Sequence, residues 1–459
     1  MRTPRALLTL NLLLALTTVP LVAADTNALG WLQQPLSLPE CLDVALQQNS
    51  TILKGKSELE ASYGVVIQTR AIAIPKVRSS ANYQKTEASG VETFPSVPAN
   101  IISPFPTVRG DQKWAGDIRL VQSIYEGGRI TSALRTARLT KEQALLQYQT
   151  VIADTLLQVR VAYNDILLAE QQITVQEASV NLLNNELVDQ RRRFEAGTVP
   201  RFNVLRAEVE LANARPRLIR ARNSYRIAKN NLVNLLGYNL PREVWEDIPL
   251  RLTGRLEAEP FDLELPVAVA QALENRTELL GLRKAVSLAK EAVVTAKAAR
   301  KPSVQGFVGY GARNSIFTDD LTHDVSGWYA GAQLNWDIFD GLYTQGKIDQ
   351  ARALQRRAEY DLEDNSRRVE LEVRTAYSNF VEAREVLESQ KKVQEQAEES
   401  LRLATVRSQA GTGTQLDVLN AQTALTEART TQIVALHDYA EARARLERAI
   451  GLNLMQQQK

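Results

Sequence analysis

The chain has 459 residues, of which 44% are hydrophobic and 24% charged, and its 55 Lys and Arg nearly balance its 53 Asp and Glu. This length is enough for two or three domains, and the lack of a basic excess argues against a nucleic-acid partner. Aromatic residues make up only 6%, which is low for a protein that stacks bases or sugars.

The first 24 residues predict a secretory signal peptide. Arg2 and Arg5 precede an apolar run that ends in the small residues Val22-Ala23-Ala24, and this order is typical of a cleaved leader. The alternative is an N-terminal membrane anchor. We expect a mature chain from Asp25, in which the single cysteine, Cys41, has no disulfide partner and serves as a small buried apolar residue.

The chain contains an internal repeat. AGTVPRFNVLRAE begins at residue 196 and AGTGTQLDVLNAQ at residue 410, an offset of 410 − 196 = 214. Further upstream the offset is 227, and the 13-residue difference falls in a Pro-rich loop at residues 94–108. Because self-similarity over such a length indicates a duplicated unit, we predict two copies of one structure. The pairs at the first offset include Trp114 with Trp328, Gly127 with Gly341 and Gly237 with Gly451; Pro75 with Pro302 follows the second.

Both copies follow the same predicted order of elements. A helix of about 35 residues ends before Pro75 or Pro302, since the residue before proline disfavours helix. Two short strands, a very long helix, a short turn and a closing helix follow. We therefore divide the chain into a signal peptide (1–24), a first repeat (25–237), a linker without clear periodicity (238–264) and a second repeat (265–459).

The strands are predicted from alternation. Residues 114–124 and 328–338 place apolar side chains on one face and mostly polar ones on the other, although Gln122 interrupts the first. A period of two over about 11 residues is typical of a membrane-barrel strand that faces lipid. A half-buried strand in a soluble sheet has the same period and is the alternative. In the first interpretation Trp114, Trp328 and Trp336 are aromatic anchors that contact lipid at the membrane interface.

The long helices are predicted from an absence of breakers. Residues 129–196 contain neither Pro nor Gly, and residues 343–410 contain only Gly346. A helix of this length spans about 100 Å and must be stabilised along its length by neighbouring helices, as in a coiled coil. The charged residues between the apolar stripes are interpreted as a solvated face.

Four predicted strands per chain are too few to enclose an interior, because small closed barrels start at about eight strands. We therefore expect several copies to assemble. Three copies would contribute 3 × 4 = 12 strands.

With this duplicated layout and the two turn sequences, the chain resembles the TolC-like outer-membrane factor family over nearly its whole mature length. The resemblance implies a mainly α fold with a small β part: a homotrimer with one 12-stranded outer-membrane β-barrel, continued by a 12-helix periplasmic α-barrel tunnel. It further implies a passive exit duct of a tripartite efflux pump or type I secretion system, opened by a periplasmic adaptor protein that is coupled to an inner-membrane efflux or ABC transporter.

The two turns are predicted helix–turn–helix tips. Gly197 and Gly411 suit the left-handed residue after a helix, Pro200 suits the first turn of the next helix, and Thr414 with Asp417 forms a capping pair. By the resemblance, the tips contact the adaptor and form the gate. The predicted adaptor-contact residues are Gly197, Thr198, Val199, Pro200, Gly411, Thr412, Gly413 and Thr414.

For the gate, the resemblance assigns Asp417 to a carboxylate ring that favours cations; the alternative is that Asp417 only caps a helix. The family's second acid is Asn420 here, and the positions of its locking Arg and Tyr hold Gly413 and Ser408. Hydrogen bonds from Asn203, Asn420 or Arg206 are expected to replace that lock. Pro216, inside the helix after the first tip, is expected to kink or break it.

Catalytic chemistry is not expected. His323 and His437 have no Cys or acid cluster nearby in the sequence that would complete a zinc site, Asp319 and Asp320 are read as ordinary loop acids, and no nucleotide or hydrolase motif occurs. We therefore predict no cofactor, no metal and no enzyme activity. The alternative function is a secreted helical scaffold or adaptor whose long hairpins bind other helices.

Overall fold

The structure, a computed structural model, describes residues 34–87, 111–238, 247–314, 321–322 and 324–452. The predicted signal peptide, the Pro-rich loop at 94–108, the loop acids Asp319 and Asp320, and His323 lie outside the described residues.

The described chain is mainly helical with one small sheet, as predicted. A short 3₁₀ turn, Ala71–Ala73, leads into the first strand. In chain order the elements are α1 Leu38–Gln48, α2 Ser50–Arg70, β1 Lys76–Lys85, β2 Gln112–Glu126, α3 Arg129–Glu195, α4 Arg201–Leu235, α5 Leu265–Asn275, α6 Thr277–Ala298, β3 Ser303–Arg313, β4 Val325–Asn335, α7 Tyr343–Gln409 and α8 Gln415–Ile450.

The backbone follows the sequence repeat. Helices α3 and α7 each have 67 residues, and their first residues differ by 343 − 129 = 214. The two very long helices are therefore confirmed. Glycines with positive φ recur at the same offset in three pairs, because both copies turn at the same points: Gly127 with Gly341, Gly197 with Gly411, and Gly237 with Gly451.

The long and intermediate helices pack side by side into a single layer, which we call the helical wall. In the half nearer the strands the order of contacts is α2–α3–α6–α7, and in the half nearer the tips it is α4–α3–α8–α7. Each long helix is thus covered in turn by two shorter ones, as expected for helices too long to be stable alone.

The predicted 35-residue helix before each strand pair is two helices. The chain is extended at Asn49 (φ −62°, ψ 125°) and at Arg276 (φ −60°, ψ 120°), which are related by the offset of 227. Asn49 Nδ2 donates to the Leu235 carbonyl at 2.6 Å, and Arg276 Nη1 donates to the Ala449 carbonyl at 3.1 Å. Both breaks place a donor against the last turn of the closing helix, whose carbonyls otherwise lack partners.

Two clusters of buried side chains surround these breaks. The first joins α1, α3 and α4 and contains Cys41, which is fully buried. Burial raises the pKa of the Cys41 thiol to about 12, so Cys41 behaves as the small apolar residue that was predicted. The second cluster joins α5, α7 and α8 around Val373, Phe380 and Tyr439.

The four strands form one antiparallel sheet in the order β1-β2-β3-β4. The two copies meet where β2 pairs with β3, for example Gly116 with Ala312. A register shift between Ser123 and Tyr125 accompanies the predicted interruption at Gln122. Strand β4 covers residues 325–335, so Trp336 lies just after the strand and the predicted span of 328–338 was three residues too late.

Helix α4 continues through Pro216, so the predicted break does not occur. Proline removes one backbone hydrogen bond, and the packing of α4 along α3 on both sides of Pro216 outweighs that loss. In the described part of the chain, no helix is both long enough and apolar enough to cross a lipid bilayer.

Arg276→Ala tests the break in the second copy. Arg276 is 6% exposed and also donates to Glu372 at 2.9 and 3.0 Å, so its loss leaves two helix-end carbonyls and a carboxylate without a donor. Because Glu372 is half exposed, solvent reduces the penalty of an unpaired charge, and we expect a loss of roughly 2–3 kcal/mol in the free energy of unfolding, measured by denaturant unfolding.

The matched control is Arg374→Ala, which removes an exposed hydrogen bond of 2.7 Å between Arg374 and Glu370, one turn apart on α7. Exposed pairs four residues apart contribute under about 0.5 kcal/mol. Equal losses in the two variants would show that Arg276 is an ordinary surface arginine.

Candidate functional site at the helical tips

Both tips (residues 196–200 and 410–414) end a long helix with the same hydrogen bonds. Gly197 has φ 73° and Gly411 φ 74°. In the first tip Gly197 N–H donates to Phe194 and Thr198 N–H to Arg193, both at 2.9 Å. In the second tip Gly411 and Thr412 donate to the equivalent carbonyls. This is the Schellman arrangement, and it confirms the predicted left-handed glycines.

The helices that leave the tips begin differently. Thr414 and Asp417 form the predicted capping box: Asp417 N–H donates to Thr414 Oγ1 at 3.2 Å, and Thr414 N–H donates to Asp417 Oδ2 at 3.0 Å. In the first tip Pro200 is the N-cap itself, with φ −73° and ψ 154°, rather than a residue of the first turn. A proline fits there because it has no N–H to leave unpaired.

Asp417 is exposed and stays ionised at neutral pH. Its hydrogen bonds from the Thr414 backbone and hydroxyl lower the pKa of the carboxyl, and the nearby positive charge of Arg407 adds to the effect. The capping role is therefore shown. It leaves the second carboxylate oxygen, Oδ1, free to face solvent or a neighbouring group.

Asp417 and Asn420 share a cavity of about 490 Å³ between the last turns of α7 and the first turns of α8. Arg407 and Gly413 line the same cavity. A Cβ on Gly413 would lie 3.1 Å from Arg407 Cβ and from the Ser408 nitrogen, so a side chain at this position would require the end of α7 to shift by a few tenths of an ångström. Gly413 has no side chain from which a lock could be built.

Arg407 was not identified from the sequence, although it is the only cation among the cavity residues that the structure describes. It lies ten residues before Asp417, on the other side of the turn. Its position in the last turn of α7 was the available signal, since a tight hairpin brings the last turn of one helix against the first turn of the next.

Asn203 and Arg206 occupy the positions in the first copy that match Asp417 and Asn420, but they do not line that cavity. The two tips do touch, because Gln415 Nε2 donates to the Asn203 carbonyl at 3.3 Å. No hydrogen bond from the Asn203, Asn420 or Arg206 side chains is present among the described residues that would act as a lock within one chain.

The predicted contact residues lie at the surface of the tips. Gly197, Thr198, Pro200, Gly411, Thr412 and Thr414 are exposed, whereas Val199 and Gly413 are half-buried.

Of the three tryptophans, Trp328 is 78% and Trp336 53% exposed, while Trp114 is half-buried and donates from Nε1 to the Leu321 carbonyl at 3.2 Å. The assignments of the tip residues to an adaptor and of the tryptophans to lipid remain predictions.

The statement that no acids surround the histidines is wrong for His437. Asp438 and Glu441 on the same helix, and Asp165 on α3, all lie beside its ring. Asp165 is distant in sequence and could not have been found there, but Asp438 and Glu441, one and four residues after His437, were a readable signal.

Comparison with known proteins agrees with this architecture. The sequence profile of the family "Outer membrane efflux protein" matches residues 41–238 and 268–452. The alkaline protease secretion protein AprF of Pseudomonas aeruginosa is 26% identical over 429 residues, covering 91% of this chain and 85% of AprF. The outer membrane protein TolC of Vibrio cholerae is 24% identical and covers 92% of this chain and 93% of its own length. The solved structure of VceC from Vibrio cholerae superimposes with a TM-score of 0.72 at 18% identity, over 90% of this chain and 96% of VceC.

The chain is therefore a member of a transport family whose two matched segments coincide with the two structural copies. It belongs to the outer membrane efflux protein family, the TolC-like proteins that its sequence resembled. Its location is the outer membrane, with an extension into the periplasm.

Gly411→Ala tests the geometry of the tip. No atom lies within 4 Å of the added methyl group, so the whole effect is backbone strain at φ 74°, which costs about 1 kcal/mol. Gly281→Ala is the control, because Gly281 is inside α6, has equal space and lacks a positive φ. There the change should stabilise by about 0.5–1 kcal/mol. Thermal midpoints and hydrogen exchange at the tip report both effects, and a tolerated Gly411→Ala would contradict the cap.

Proposed function

We propose that three copies of this chain form an outer-membrane exit duct of a tripartite efflux pump or a type I secretion system. In this proposal the duct is passive and opens at its tips when a periplasmic adaptor, coupled to an inner-membrane efflux or ABC transporter, binds there. The division into repeats 25–237 and 265–459, joined by the linker 238–264, belongs to the same proposal. The observation that carries it is that the chain has two pairs of open edges, one pair in the sheet and one in the helical wall, and that the two edges of each pair differ from each other.

The first pair of edges is in the sheet. Strands β1 and β4 are its outer strands, and each pairs with one neighbour within the described chain. Exposed strand edges are normally paired, covered or charged. Because β1 and β4 run in opposite directions, β4 of one copy can continue the antiparallel order with β1 of the next. Twelve strands from three copies give a closed sheet wide enough for a lumen.

The second pair of edges is in the helical wall, where α4 and α7 are the outer helices at the level of the tips. Helix α4 exposes a stripe of large apolar side chains with spacings typical of one helix face. Helix α7 exposes Val386, Val393, Leu403 and Val406 at the same level. The α4 stripe consists of Phe202, Leu205, Val209, Ile219 and Ile227.

Charge supports the same pairing. Helix α4 carries eight basic residues and two acidic ones, whereas residues 382–399 of α7 carry six acidic and three basic residues. Unlike edges that fit each other head to tail generate a ring when the rotation closes. Complementary charge at the rim favours the correct register of such a contact.

Ile219→Asp tests the ring. Ile219 is 67% exposed in one chain, so the variant leaves the single chain folded but places a charge in the proposed contact. We expect a trimer for the unmodified protein in outer-membrane extracts and a shift to single chains for the variant, measured by light scattering in detergent.

Arg217→Asp is the matched control. Arg217 is exposed but points away from the stripe, since two residues turn a helix by about 200°. A soluble single chain without any substitution would favour the helical scaffold instead of the duct.

The gate role of Asp417 needs a test that separates charge from capping. Asp417→Asn removes the charge, and Thr414→Ala removes the capping hydroxyl but keeps the charge. Because three carboxylates around one axis would attract cations, Asp417→Asn should lower the cation preference of single channels in a planar bilayer, and Thr414→Ala should not. Unchanged selectivity in Asp417→Asn would leave Asp417 as a cap alone.

A further inference from the structure

A cluster of ligand-bearing side chains lies far from both tips, on the face of α8 that meets α3. His437 is only 6% exposed. Its Nε2 lies 2.9 Å from Asp165 Oδ1, and its Nδ1 lies 3.2 Å from Asp438 Oδ1. One donor atom each from His437, Asp438 and Glu441 can be chosen so that all three lie within 4.8 Å of one another.

The charges of this cluster do not balance. Asp165, Asp438 and Glu441 contribute three negative charges, and Arg445 contributes one positive charge through its hydrogen bonds to Glu441. With a neutral imidazole the sum is −3 + 1 = −2, which matches a divalent cation. Both bonds from Arg445 end on Glu441 Oε1, so Oε2 is available to a ligand.

The arrangement around the imidazole suits a metal. With an ion bound, Nε2–H would donate to Asp165 and Nδ1, which lies 3.2 Å from Asp438 Oδ1, would lose its proton and take the ion. A ligating histidine commonly donates its other N–H to a carboxylate, which fixes the tautomer and the ring orientation. His437 and Glu441 are four residues apart and so share one face of the helix.

We propose that His437, Asp438 and Glu441 bind one divalent transition-metal ion, such as Zn²⁺ or Co²⁺, with Asp165 as the positioning residue that holds the imidazole. One imidazole and two carboxylates form a donor set typical of these ions, and water completes the coordination. The ion would connect α8 to α3 through His437 and Asp165.

Access to the cluster exists in the single chain. Asp165 and Arg445 line a cavity of about 1020 Å³ bounded by α3, α4, α7 and α8. The side chains of Asp165 and Asp438 are about half exposed. His437, Asp438 and Glu441 do not themselves line this cavity, so an ion would reach the donors from the exposed side of Asp438.

The repeat provides an internal comparison. At the offset of 214, the first copy has Asn223, Ser224 and Ile227 in place of His437, Asp438 and Glu441, and the second copy has Asn379 in place of Asp165. Helix α4 forms without these side chains and is within one residue of α8 in length, although only α8 also packs against the long helix of the other copy within the chain. A ligand would explain why they occur together at one of the two equivalent places.

The test is metal binding by the full chain, purified in detergent without a histidine tag, stripped with a chelator and titrated with Co²⁺ and then Zn²⁺ at pH 8. Burial lowers the pKa of His437, but the hydrogen bonds to Asp165 and Asp438 raise it by more, so the net pKa is above its usual value. A proton therefore competes with the ion for the imidazole, and pH 8 reduces this competition. We expect one ion per chain and a Co²⁺ absorption spectrum that Zn²⁺ abolishes.

The variants separate a site from general attraction to acids. His437→Asn should abolish binding, Glu441→Gln should weaken it, and Asp165→Asn should weaken it by about 10- to 100-fold. His323→Asn, which changes the other histidine of the chain, should bind like the unmodified protein. Glu441→Gln keeps the test valid if His437→Asn does not fold.

Absence of binding by the unmodified chain overturns the proposal. Binding by both His437→Asn and Glu441→Gln that equals the binding of the unmodified chain also overturns it. Because the readout is the ion and not transport, a negative result leaves the proposed duct unaffected. Failure of the duct would likewise leave the metal titration unchanged.

Discussion

A 67-residue helix must bury one face along its whole length, and this constraint determines the arrangement of the rest of the chain. Neither α3 nor α7 has the apolar content to be stable alone in water, and most helical stability comes from tertiary packing. Helix α3 is therefore covered by α2 and α6 on the strand side and by α4 and α8 on the tip side, and α7 is covered by α6 and then by α8. The orders α2–α3–α6–α7 and α4–α3–α8–α7 use the four helices of intermediate length for this purpose.

The change of partners concentrates polar groups at one level of the wall. Here α4 and α8 end, α2 and α6 begin, and buried charges must be paired to be tolerated. Glu447 is 1% exposed and lies 2.5 Å from Arg160 on α3 and 2.9 Å from Arg443. Burial raises the pKa of Glu278, but Arg448 and Arg276 together outweigh this effect, and the net pKa is lowered. The pair of Arg160 and Glu447 joins α3 of the first copy to α8 of the second, so the repeats are held together here as well as in the sheet.

What could be predicted from the sequence is what depends on local chemistry. The left-handed glycines, the capping box and the long helices follow from residue types at fixed spacing, and the offset of 214 carried the glycines and the long helices from one copy to the other. What could not be predicted depends on contacts between distant segments. The extended residue Arg276 looks like ordinary helix sequence until the end of α8 lies beside it. Asp165 and His437 are 272 residues apart, and Trp336 lies after β4 because pairing with β3 ends at Ser303 and Asn335.

The two copies are similar in backbone but not in chemistry, and they differ at the tips. The first tip begins its second helix with an uncharged proline cap and continues into the basic helix α4. The second begins with a charged capping box and continues into α8, which packs in the middle of the wall beside α3. In a closed ring the tips would therefore alternate in kind. Because the two tips of each chain differ, a binding partner can distinguish one position around the ring from the next. Six identical tips could not provide this distinction, since choosing one register over another requires a difference in interaction energy between the two registers.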